Sequence, residues 1–246
     1  MKRVAVVTGG GRGIGRAVAE ALGEDGWSVA VAGRTPDTID EVARKLGPSG
    51  LAVQTDVTKP NDVENLFNQT VDTFGHVDLL FNNAGMAASP VPVDELPIDE
   101  WNNVVAVNLT GAFLCARAAF GHMRRQNPTG GRIINNGSIS ATTPRLYSAA
   151  YTSTKHAITG LTKSLSLDGR QYAISCGQLD LGNISSDMGS GTASGALQAD
   201  GSRAAEPTIG YQAVCDAVRY MANLPADTNT LTMTVMANGM PFVGRG

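Results

Sequence analysis

The stretch from Val4 to Leu22 limits the possible folds more than any other. Val4-Ala5-Val6-Val7 is a continuous apolar run, the pattern of a strand covered on both faces. Thr8-Gly9-Gly10-Gly11-Arg12-Gly13-Ile14-Gly15 follows directly, and then Ala17, Val18, Ala21 and Leu22 recur at helical spacing. A strand, a glycine turn and a helix in this order open a dinucleotide-binding βαβ unit. The glycines allow a tight turn and close backbone approach, while the helix N-terminus offers N–H groups and a positive dipole to phosphate. The spacing is not G-x-G-x-x-G, and a purely structural turn uses the same residue types. The expected cofactor contacts here are Thr8, Gly9, Gly11, Arg12, Gly13, Ile14 and Gly15.

Val29 to Ala32 reads as the second strand and ends in Gly33-Arg34-Thr35-Pro36. In such a unit the residue closing this strand meets the adenosine ribose. An acid there selects NAD. This chain has Arg34, with Arg12 in the glycine loop, so two cations can flank a 2′-phosphate and NADP(H) is favoured. Asp37 keeps NAD(H) open, although Thr35 as cap and Pro36 at the first position place Asp37 in the first turn of a helix. A third strand near Leu51 to Gln54 leads to Asp56 and Val57, expected at the adenine. Asp56 either holds the amino group there or caps the helix starting near Pro60. The fourth strand, Val77 to Phe81, ends in Asn82-Asn83-Ala84-Gly85. Asn83, Ala84 and Gly85 suit a backbone lying close to a ligand, and a plain strand-end turn equally.

The remaining pattern alternates helix and strand. Trp101 to Met123 reads as a long helix, with Asn108 unfavourable in its interior because the amide competes for backbone groups. A task such as holding a water explains it; exposure is the simpler account. Arg132 to Asn135 is the fifth strand and Ile174 to Leu179 the sixth. Residues 185–208 are rich in Gly, Ala and Ser, too weak for core and too long for a passive connector; they read as a mobile substrate lid, with a disordered excursion as the plainer alternative. Tyr211 to Leu224 is a helix and Leu231 to Met236 the last strand.

With 246 residues and 42% apolar content, the chain can bury a sizeable core, and one domain spanning 1–246 is the expectation. A net charge of −3 with scattered signs leaves no nucleic-acid or membrane-surface footprint. Cys115, Cys176 and Cys215 are widely separated, as are His76, His122 and His156. Neither set has metal-ligand spacing, and buried thiols in a reducing compartment are the default. The run Val4 to Val7 is too short for a signal peptide, and no apolar run approaches the roughly 20 residues of a membrane span. A cytoplasmic location is expected.

The chemistry concentrates in Ser138 to Lys155. Tyr151 and Lys155 are four residues apart and share a helix face. An ammonium at that distance favours phenolate over phenol, so the tyrosine can exchange a proton with a substrate oxygen near neutral pH. Ser138, just past the apolar pair Ile133-Ile134, can hydrogen-bond the same oxygen. A Tyr-x-x-x-Lys pair alone is more often an ordinary surface pair.

Thr8-Gly9-x-x-x-Gly13-x-Gly15, Asn82-Asn83-Ala84-Gly85, Asn108, Ser138 and Tyr151-x-x-x-Lys155 stand in order at compatible intervals. Together they resemble the short-chain dehydrogenase/reductase family, specifically from Lys2 to Met188. The resemblance implies a three-layer doubly wound Rossmann fold with a mostly parallel seven-stranded sheet, assembling as a homotetramer or dimer. It implies Tyr151 as acid/base, Lys155 assisting it and holding the nicotinamide ribose, Ser138 polarising the substrate oxygen, and Asn108 keeping the water of a proton relay. Leu181, Gly182, Ile184 and Ser186 match the positions near the nicotinamide carboxamide and phosphate. The chain departs from the family at Leu181-Gly182, usually Pro-Gly, at Gly177, usually asparagine, and at Asn238-Gly239-Met240. The implied reaction is hydride transfer between NADP(H), or NAD(H), and a carbonyl or secondary alcohol. Met86 to Ser89, Ile139, Ser140, Leu146, Tyr147, Gly182 and Met188 are the expected substrate walls, and Arg145 can receive an anion. A non-catalytic cofactor-binding sensor or scaffold is the alternative.

Overall fold

The structure, a computed structural model, describes residues 2–185 and 195–242. Its strands are β1 (Val4–Thr8), β2 (Ser28–Gly33), β3 (Gly50–Gln54), β4 (Leu79–Asn82), β5 (Gly131–Asn136), β6 (Ile174–Leu181), β7 (Ala196–Leu197), β8 (Arg203–Ala204) and β9 (Thr232–Val235). The helices are α1 (Gly13–Glu24), α2 (Pro36–Leu46), α3 (Pro60–Phe74), α4 (Ile98–Val105), α5 (Ala112–Arg125), α6 (Ala149–Asp168) and α7 (Tyr211–Ala222). Seven strands form one sheet in the order β3-β2-β1-β4-β5-β6-β9, and every neighbouring pair is parallel. The expected doubly wound Rossmann architecture is therefore present.

Side-chain alternation along the strands divides the core into two layers. Ala5, Val7, Val29, Val31, Leu79 and Phe81 point toward α1, α2 and α7. Val6, Ala30, Leu80, Ile133 and Cys176 point the other way, toward α3 and α5. Both faces of the sheet are covered, which is why β1 and β2 need the unbroken apolar runs read from the sequence. The strand order reverses between β1 and β4, and the crevice at their carboxyl ends is where such sheets bind ligands.

The predicted helix over Trp101 to Met123 extends from Ile98 to Arg125 and includes a π-helical segment, Ala106–Gly111. By length and composition the whole stretch could cross a membrane. Here Val104, Ala112, Cys115, Ala116, Ala119 and Met123 are buried inside the protein. Asn108 lies within the π segment and is 2% exposed, so the surface explanation for it is incorrect. Gly111 ends that segment where the connection from β3 to α3 passes close. A Cβ there would sit 2.7 Å from Val57.

Two further expectations change. Asp56 does not cap α3, whose N-cap is Lys59; its carboxylate instead accepts from the amide and hydroxyl of Thr58 at 3.0 and 2.8 Å. The expected lid over 185–208 is in part regular structure, because β7 and β8 pair as an antiparallel ribbon. Ser186 and Met188 lie outside the described residues.

Candidate active site

The cofactor half is built from backbone. Gly9 and Gly13 have φ of 63° and 53°, and a Cβ on Gly15 would stand 2.2 Å from the Gly9 carbonyl oxygen. Glycine is required at these positions for the chain to turn from β1 into α1. Helix α1 has no side-chain cap and no acidic residue in its first turn, which leaves its N–H groups and dipole directed at an anion. Thr8 ties this loop to the neighbouring strand. Its Oγ1 accepts from the amides of Asn83 and Ala84 at 2.9 and 3.0 Å, and Asn83 Nδ2 returns a bond to Thr8 O at 2.9 Å. Thr8 and Asn83 thus shape the crevice, while Gly9, Gly11, Ile14, Ala84 and Gly85 give it backbone surface. These features fit a dinucleotide pyrophosphate.

Arg12 and Arg34 are exposed beside this loop. Asp37 falls in the first turn of α2 behind Pro36, as the sequence pattern predicts. Burial would raise the Asp56 carboxyl, but the Thr58 hydrogen bonds and the charges of Arg34 and Lys59 outweigh it, and its pKa lies below the ordinary value. Asp56 is therefore an acceptor positioned at the end of β3, with Val57 buried beside it.

The second half is built from side chains. Helix α6 carries Tyr151, Thr154 and Lys155. Lys155 is 7% exposed and donates from Nζ to the Asn136 carbonyl at 2.7 Å, while lying 5.4 Å from the centre of the Tyr151 ring. Asn136, at the end of β5, donates from Nδ2 to Asn83 Oδ1 at 2.9 Å. One chain of bonds thus runs from α6 through β5 to the glycine-loop anchor. Ser138 is buried just beyond β5, and its Oγ accepts from the Ser140 amide at 3.1 Å. That leaves its hydroxyl proton available to an outside acceptor. Asn108 faces the same region. Its Oδ1 accepts from Met86 N and its Nδ2 donates to Met86 O, each at 2.8 Å, with a further contact to Thr154 Oγ1 at 3.3 Å. The amide fixes the loop after β4 to the π segment, so any water held at Asn108 would have to use its backbone.

Leu181 ends β6, Gly182 and Ile184 follow it, and Ile184 bridges to Ile209. Gly182 packs under Met236 and Met240. Phe242 packs on Ile139, Ala237 and Met240, so this residue of the terminal tail folds onto its own chain. Tyr147, four residues before Tyr151, has φ of 58°, an unfavourable conformation for a bulky residue that often marks a functional loop.

Three groups here, Glu206, Gln178 and Asp180, were not singled out from the sequence. Arg145, read as an anion receptor, is held by Glu206 at 2.7 Å and by Asn183 Oδ1 at 2.9 Å. Burial would raise the Glu206 carboxyl, but bonds from Arg145, Asn183 and Gln198 reverse this and bring it to about 2. Gln178 and Asp180 are buried on β6, and their alternation with Leu179 and Leu181 was the available signal. Burial pushes the Asp180 carboxyl up, with Gln178, the Ser138 amide and Lys155 pulling against it. A separate groove of about 430 Å³ between α3 and α5, lined by Glu64, Leu114, Arg117, Phe120 and Arg125 among others, contains none of the expected site residues.

The profile of the short chain dehydrogenase family matches residues 3–196. A short chain dehydrogenase/reductase of Aspergillus oryzae is 35% identical over 190 residues, which is 76% of this chain and 72% of that protein. Among solved structures, a 3-ketoacyl-(acyl-carrier-protein) reductase from Brucella melitensis complexed with NADH superimposes with a TM-score of 0.85 at 25% identity, covering 95% of this chain and 96% of that one. An alcohol dehydrogenase from the archaeon Thermococcus sibiricus, complexed with 5-hydroxy-NADP, gives 0.83 at 26% identity and 98% coverage of both chains. The chain belongs to the short-chain dehydrogenase family. It is a nicotinamide-dependent oxidoreductase.

Proposed function

We propose that the protein interconverts a carbonyl and a secondary alcohol, with Tyr151 as acid/base. The observation that carries this reading is the placement of Lys155, buried, lying against the Tyr151 ring and bonded to the carbonyl of Asn136, two residues before a serine whose hydroxyl proton is free. A bound nicotinamide supplies the hydride. Tyr151 gives a proton to the substrate oxygen, or takes one from it, and the Ser138 hydroxyl donates to the same oxygen. Lys155 supplies positive charge beside the phenol, and Asn108 fixes the π segment that backs Thr154. Arg12 and Arg34 support a preference for NADP(H), because guanidinium groups bind a 2′-phosphate with charge-assisted bonds. Asp56, Val57, Leu181, Gly182, Ile184 and Ser186 complete the proposed contacts with the cofactor. Arg145 is neutralised by Glu206, which supports an uncharged or weakly polar substrate.

The chain is proposed to act as one domain in the cytoplasm, where its three free, buried cysteines would stay reduced. Exposed Ile98, Phe113 and Leu167 on α4, α5 and α6 support burial against further copies, a homotetramer or dimer. Loss of nicotinamide absorbance with NADPH and a panel of ketones and aldehydes tests the central reading. Turnover of at least one compound is expected, faster with NADPH than with NADH. Tight cofactor binding without turnover across the panel would instead identify a sensor of the same fold.

A further inference from the structure

Beneath the proposed catalytic serine lies a buried carboxylate that no step described so far uses. Asp180 is 5% exposed. Its Oδ1 accepts from the Ser138 amide at 2.9 Å and from Gln178 Nε2 at 2.7 Å. Gln178 in turn donates to Thr159 Oγ1 at 3.1 Å and accepts from Thr162 Oγ1 at 3.3 Å, both on α6. Gly137 makes this approach possible: a Cβ at that position would stand 2.1 Å from Asp180 Oδ1. The backbone at residue 137 has thus given up its side chain where the carboxylate reaches Ser138.

We propose that Asp180 is a positioning residue for hydride transfer, holding the backbone of Ser138 so that its hydroxyl points at the substrate oxygen. The inference rests on the reading of Ser138 and Tyr151 given above. Ser138 is fixed from both ends, its amide by Asp180 and its Oγ by the Ser140 amide. With its backbone and one lone pair both committed, the hydroxyl keeps few directions in which to donate. Small misplacements of a reacting group cost large factors in rate. A carboxylate suits the task because a charge-assisted acceptor holds an amide more firmly than a neutral one. The bonds from Gln178 and the Ser138 amide, and the nearby cation Lys155 on α6, offset part of the cost of burying it.

The test compares Asp180→Leu with Asp180→Asn, whose Oδ1 can still accept both bonds. Hydrogen exchange at the Ser138 amide, read by mass spectrometry without substrate or cofactor, should accelerate at least tenfold in Asp180→Leu and much less in Asp180→Asn. With a carbonyl substrate from the panel, Asp180→Leu should lower kcat at least tenfold while the KM for NADPH moves less than threefold, and Asp180→Asn should restore most of the loss. Gly137→Ala provides the check if Asp180→Leu does not fold. Its damage to kcat should be relieved at least partly when Asp180→Ala removes the carboxylate it meets. Unchanged exchange in Asp180→Leu, equal losses in the Leu and Asn variants, or no relief in the double variant would overturn the proposal. If the panel yields no turnover, the acid/base reading fails, and the exchange measurement alone decides whether Asp180 holds Ser138.

Discussion

Two halves of one sheet solve different problems. In β1 and β2 the strand residues from Val4 to Val7 and from Val29 to Ala32 are apolar and almost fully buried. In β5 and β6, at the same depth, Asn135, Gln178 and Asp180 are buried and polar. In the proposed function the first half meets its ligand through main-chain groups at Gly9 to Gly15, so its side chains can be ordinary core. The second half must aim the side chains of Ser138, Tyr151 and Lys155, and a network of amides and a carboxylate holds them in register. Apolar packing tolerates small shifts, whereas a buried hydrogen-bond network is costly when one member is lost. Direction is bought with polarity.

This contrast predicts that activity and stability separate between the halves. Tyr151→Phe should have the largest effect, lowering kcat by about 10²–10⁴-fold. Its melting temperature and cofactor affinity should remain near native, and activity within a few-fold of native would remove Tyr151 from the mechanism. Leu22→Ala, in the apolar half, should do the reverse. Leu22 is 1% exposed, and deleting its side chain should cost about 2–5 kcal/mol in urea unfolding while kcat of the folded protein stays near native.

A smaller effect concerns pH. The native Glu206 carboxyl, at about 2 against an ordinary 4.5, is depressed. It therefore stabilises the fold above the ordinary value, and that contribution is lost as pH falls toward 2. Up to about 3 kcal/mol is at stake. The stability gap between native protein and Glu206→Gln should be widest near neutral pH and close on acidification; a gap independent of pH would contradict the Arg145–Glu206 pairing. The smallest expected effect is at the exposed rim. Arg34→Asp should lower the NADPH-over-NADH ratio of kcat/KM by roughly tenfold, more at low salt. A native preference for NADH would reverse the cofactor assignment while leaving the chemistry intact.

The apolar half was the legible one. Continuous apolar runs and glycines name β1, β2 and the first turn without reference to distant residues, and β5 falls where Ile133-Ile134 place it. The site was legible as a set of residues, because the serine, tyrosine and lysine lie within one short stretch. Its supports were not. The Lys155–Asn136 bond spans 19 residues and the Asp180–Ser138 bond 42, and nothing local to either residue names the other. For the same reason sequence alone left Asn108 open between a task and simple exposure, since the carbonyl and amide of Met86 that justify its burial are 22 residues away. Arg145 looked free because Glu206 lies 61 residues downstream.

The order of the strands also bears on how the molecule is made. Synthesis yields β1 and β2 first, and β3 extends that edge. Construction then switches to the opposite side of β1, where β4, β5, β6 and β9 each dock against the strand laid down just before in the sheet. A nascent chain therefore always has a freshly exposed, growing edge of unpaired backbone, on the side where β5 and β6 must still arrive. On this side the edge that finally remains is β9, whose Thr232 and Thr234 are exposed. Until the ribosome has released those last residues, the Asn136-to-Asp180 side of the sheet lies one strand from open water, and a chaperone that shields it would be guarding the future active site.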